Sequence, residues 1–196
     1  MSAMRLGIVG VIACMLAVSS AVASARDLRL IEAAKRDDVA AVKALTASGL
    51  NVNARSGDGS TALHWAAQND DLALADALIR KGAQVDATTD LGVTPLWVAA
   101  TNSSTAMIHR LLAAHANPNT VPPTGRTPLM IAARAGNVDA VKALLADGAD
   151  PNAKEAAHGQ TALMWAVADR HPDVVRLLLA AHADVQARSS TRMQRQ

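Results

Sequence analysis

Apolar positions along this chain fall into four closely similar blocks. The first runs Thr61-Ala62-Leu63-His64-Trp65-Ala66 and the second Thr94-Pro95-Leu96-Trp97-Val98-Ala99. Thr127-Pro128-Leu129-Met130-Ile131-Ala132 and Thr161-Ala162-Leu163-Met164-Trp165-Ala166 complete the set, at spacings of 33, 33 and 34 residues. Each block is followed by a second apolar stripe at helical spacing. The stripes are Leu74, Leu78 and Ile79; Ile108, Leu111 and Leu112; Val141, Leu144 and Leu145; Val174, Leu177 and Leu178. The pattern predicts a pair of helices per unit, with Leu63, Leu96, Leu129 and Leu163 turned into a shared interior.

Residue types at the joints fit this reading. Thr suits the position before a helix, where its hydroxyl accepts a backbone N–H that has no partner inside the helix. Pro95 and Pro128 then stand at the first helical position, which needs no donor. Gly59, Gly92, Gly125 and Gly159 lie two residues before each Thr, where a tight turn needs a positive φ. Gly82 and Gly148 close second helices, and His115 and His182 take the same place in their units. Paired small residues such as Ala66-Ala67 and Ala99-Ala100 let the next helix approach closely.

Four such matches in register resemble the ankyrin repeat, over nearly all of residues 27–188. The resemblance implies an all-α solenoid of about five repeats, each a short β-hairpin or turn "finger" followed by two antiparallel helices. The expected units are 26–55, 56–88, 89–121, 122–155 and 156–188, with a tail at 189–196. The first unit reads as a cap, since Arg29, Glu32 and Arg36 give it a polar outer side. The last does not, because Val174 to Leu179 is as apolar as an internal repeat. Three alternatives remain open: the tail folds over that side, a partner or second copy covers it, or the chain is a shortened form of a longer array.

Composition narrows the function. With three Trp, no Phe and no Tyr, the core must be built of aliphatic residues. A net charge of +2 does not suggest a nucleic-acid surface. Residues 1–25 read as a signal peptide: Arg5, an apolar run from Leu6 to Val18, and an Ala23-Ser24-Ala25 cleavage site before Arg26. Cys14 also fits a lipoprotein box, although the apolar run continues beyond it, so a lipid anchor is the alternative. Export, with the bacterial periplasm as the expected compartment, or secretion or lipid anchoring, follows from this reading. A membrane span after cleavage does not.

Candidate chemistry dissolves on inspection. Gly57-Asp58-Gly59-Ser60-Thr61-Ala62 has the letters of a dinucleotide fingerprint, but no apolar strand precedes it and the same turn recurs in the other units. The six His residues form no metal-ligand spacing. His64 matches the family's histidine, which bonds within and between repeats. His109 and His158 read as solvated, and His171 lies in an interhelix bend. Trp65 and Trp165 share one repeat position and are expected to pack, while Trp97 either packs or reaches toward the fingers. No nucleophile, base and orienting group converge, so no catalytic residue, cofactor or metal is expected. The chain reads as a protein-binding scaffold, not an enzyme. The resemblance places partner contacts at Asp58, Ser60, Asp90, Leu91, Val93, Thr124, Arg126, His158 and Gln160 in the fingers. It places further contacts at Gln68, Asn69, Trp97, Thr101, Asn102, Arg134 and Asp169 on the first helices.

Overall fold

The computed structural model describes residues 28–190; the expected signal peptide, Cys14 and the end of the tail lie outside them. Ten helices stand in five pairs among the described residues. They are α1 (28–35) with α2 (Val39–Ala47), α3 (Ala62–Asn69) with α4 (Leu72–Arg80), and α5 (Pro95–Thr101) with α6 (Thr105–Ala113). The last two pairs are α7 (Pro128–Arg134) with α8 (Val138–Ala146), and α9 (Ala162–Ala168) with α10 (Pro172–Ala180). First helices stack in one row, α3 on α5 on α7 on α9, and second helices in another, α2 on α4 on α6 on α8 on α10. Leu63, Leu96, Leu129 and Leu163 line up as buried members of one continuous core, with Leu30 of α1 extending the same column.

Local chemistry sets each helix start. Thr94, Thr127 and Thr161 accept from the third residue of their helices. In the second helices Asp38, Asp71, Ser104 and Asn137 do the same. Each of these caps follows a residue with positive φ: Asp37, Asp70, Ser103 and Gly136. Gly136 is required by space as well, because a Cβ there would meet the His171 ring at 2.5 Å. His115 and His182 take φ 64° and 62°, the helix-end geometry that Gly82 and Gly148 supply elsewhere.

Repeats are tied together across the loops that follow the second helices. Asn53, Asn119 and Asn152 each donate to a carbonyl of the next unit (Gly82, Gly148, His182) and accept an amide beyond it. The fingers take the turn form of the two expected, and no strand forms among the described residues. Each closes on a short span, such as Ser56 N–H to the Ser60 carbonyl at 2.8 Å, which leaves no room for a ladder. At the far end Val167, Leu179 and Val185 are 57%, 43% and 65% exposed, so the last repeat leaves apolar side chains uncovered.

Candidate protein-binding surface

Finger geometry begins with the turn glycines. Gly59, Gly92, Gly125 and Gly159 all have φ between 65° and 80°. Neighbouring fingers are joined by single backbone bonds: Asp90 N–H to the Asp58 carbonyl (2.9 Å), Ala156 N–H to that of Thr124 (2.9 Å), and Ser190 N–H to that of His158 (2.6 Å). Between the Gly92 and Gly125 fingers the donor position is Pro123, which has no N–H. Pro122 and Pro123 pack on Gly92 there instead. Beside this break stands Leu91, 74% exposed, at the tip of the Gly92 finger.

Two carboxylates organise finger interiors. Asp58 accepts from the Ser56 hydroxyl and from the amide and hydroxyl of Ser60, at 2.5–3.0 Å. These donors, Ser56 first, bring its pKa down to about 2. Glu155 is buried and accepts from the amides of Ala157, His158 and Gln160. Burial pushes its carboxyl up, and the amides more than reverse this, so it titrates below the usual carboxylate range.

His64 and Trp97 occupy equivalent positions, and each donates to the equivalent carbonyl of the next finger. His64 Nε2 meets Val93 O at 3.0 Å, and Trp97 Nε1 meets Arg126 O at 3.0 Å. A carbonyl only accepts, so Nε2 of His64 carries the proton. Nδ1 is then free to accept from Thr61 N–H at 3.2 Å. Burial, the largest influence, lowers the His64 pKa. Histidine therefore bonds within and between repeats, and Trp97 reaches the fingers.

Fingers and first helices carry two chemically different clusters. One is a groove of roughly 280 Å³ between the Gly59 and Gly92 fingers, floored by Trp65, Val93 and Val98. That falls just below the range of small-molecule pockets, about 300–1,000 Å³. Of the residues expected at partner contacts, Asp58, Ser60, Gln68, Asp90, Leu91 and Val93 line this groove. His64, Trp65, Thr89 and Val98 join them and were not expected. The repeat column shared by Trp65, Val98 and Trp165 was the available signal for two of these. In the other the guanidiniums of Arg126 and Arg134 lie 5.8 and 5.6 Å from the Trp165 ring centroid. Asp169 stands 3.7 Å from Arg134, and Gln160 accepts from Trp165 Nε1. Trp65 packs against the core under Lys35, with its Nε1 buried and unpaired, because Ser60 at the Gln160 position is short and bonded to Asp58.

The remaining expected contacts are dispersed. Thr101, Thr124 and His158 are exposed on fingers and first helices. Asn69 and Asn102 also lie at the surface, but their amides are tied to carbonyls of the preceding repeat. Ser60 is buried. Among the described residues no group of three or more His, Cys, Asp or Glu is placed to hold a metal ion. No described helix is long and apolar enough to cross a membrane.

A family model for ankyrin repeats, three copies long, matches residues 30–122 and again 104–189. The chain belongs to the ankyrin-repeat family. No curated protein matches it as a relative. Ankyrin repeats generally mediate protein–protein interaction, and stacked repeats offer extended concave surfaces for it.

Proposed function

We propose that this ankyrin-repeat protein is an exported, non-enzymatic scaffold that holds a protein partner against its finger tips and concave helix face. The supporting observation is the groove between the Gly59 and Gly92 fingers, where the exposed Leu91 stands beside an apolar floor of Trp65, Val93 and Val98. A largely apolar spot rimmed by polar residues is the make-up of an interface centre. The test is capture from an exported extract by wild type and by a Leu91→Ser/Val93→Ser/Arg126→Gln variant. Wild type alone should retain the partner; equal capture by both would show that the finger face is not the binding surface.

Export rests on residues 1–25, with cleavage before Arg26. N-terminal sequencing of the mature protein tests this, and Cys14→Ala with a mobility assay tests the lipid-anchored alternative. A second reading is favoured by the exposed Val167, Leu179 and Val185, namely self-association through the last repeat. Size that rises with concentration would support it, and a monodisperse monomer would remove it.

A further inference from the structure

The two clusters differ in charge as well as in polarity. Tip carboxylates Asp58 and Asp90 border the apolar groove. Two cations stand near that groove, each engaged: Arg55 donates to the Thr88 carbonyl at 2.6 Å, and Lys35 lies 5.2 Å over the Trp65 ring. In the other cluster Arg126 has no ion pair among the described residues, and Arg134 has only the longer contact to Asp169. Both guanidiniums lie against one indole, which holds them while leaving N–H edges for an acceptor.

Resting on the concave-face reading above, we propose that the surface takes an extended partner segment with an aliphatic anchor and an acidic side chain a fixed distance away. The anchor enters the groove under Leu91, and the carboxylate meets Arg126 and Arg134. Asp58 and Asp90 repel an acid placed beside the anchor, which fixes the end at which the acid sits. The spacing follows from the stack. The groove is lined from α3 and α5, the two arginines of the α7 unit lie against Trp165 of α9, and packed helices lie about 8–10 Å apart. Two steps span about 16–20 Å, which an extended chain at about 3.3–3.6 Å per residue covers in about five or six residues.

The experiment selects displayed random sixteen-residue peptides on the whole chain and sequences those enriched. An aliphatic residue with Asp or Glu about five or six positions away is the expected consensus. On Arg126→Gln/Arg134→Gln the acidic preference should vanish while the aliphatic one stays; on Leu91→Ser/Val98→Ser the reverse should hold. A labelled winning peptide should lose about tenfold in affinity on the arginine variant. Changing its acid to the amide should cost the same on wild type and nothing further on that variant. Peptides with no acid at fixed spacing, an unchanged consensus on the arginine variant, or no enrichment would each overturn the proposal. If enriched peptides are indifferent to Leu91 and Val98 and cross-link elsewhere, the concave-face reading itself fails.

Discussion

Gly125→Ala and Gly148→Ala place the same methyl group at two positions of the same backbone class, φ 70° and 85°. At Gly148 the new Cβ meets nothing within 4 Å. The cost there is conformational: the left-handed region is unfavourable by about 1–2 kcal/mol for a residue with a Cβ. The restriction of the unfolded chain returns about 0.4–1 kcal/mol of this. A net loss of about 1 kcal/mol is expected. At Gly125 the Cβ would stand 2.8 Å from Ala156 N and 3.2 Å from Glu155 Cα, both backbone atoms of the next finger. Parting the fingers adds overpacking of about 1–3 kcal/mol. The Thr124–Ala156 bond contributes a further ~1 kcal/mol. Gly125→Ala should therefore lose about 2 kcal/mol or more beyond Gly148→Ala. His115→Gly, at the Gly148 position of its own repeat, should return about what Gly148→Ala loses. Urea denaturation followed by far-ultraviolet circular dichroism measures all three. Equal losses at Gly125 and Gly148 would mean that backbone conformation alone demands the glycine, and that close finger stacking does not.

Leu129→Ala, at a fully buried position of the central column, should cost about 2–5 kcal/mol in the same assay. His64 is held neutral by burial and by accepting from Thr61, so the unfolded chain, near its ordinary 6.5, takes up a proton before the folded one does. Stability should be complete above that pH and decline as pH falls toward the lower folded value, and His64→Gln should flatten the decline. Asp37 is perturbed in the opposite direction, raised by desolvation and by its hydrogen bond and charge contact with Asp71. The folded chain then holds the extra proton, and stability falls as pH rises through that value. Asp37→Asn, which also suits φ 60°, should raise the melting temperature at neutral pH and lose the advantage in acid.

The stack itself was legible in the residue order. Thr before Leu, proline at the first helical position and glycine two residues before the Thr are local requirements of turns and helix ends. They hold wherever the unit sits, so the repeat, its helices and the Leu63–Leu96–Leu129–Leu163 column could be read without coordinates. The second-helix caps Asp38, Asp71, Ser104 and Asn137, and the left-handed residues such as Asp37 and Asp70 that precede them, emerged only in the fold.

What the tertiary structure alone decided concerns contacts between residues about thirty positions apart. Trp97 and His64 deliver the same bond because stacking brings Arg126 O and Val93 O to equivalent places. Trp65 and Trp165 occupy one repeat column, yet one indole N–H has a partner and the other has none, since Ser60 and Gln160 differ in reach. Pro123 interrupts the chain of finger bonds only because its neighbour's carbonyl lies across a repeat boundary. Two arginines from one repeat meet a tryptophan from the next, a meeting no local pattern encodes. Local sequence specifies torsions and burial within a unit; the spacing between stacked units then determines which side chains share a surface.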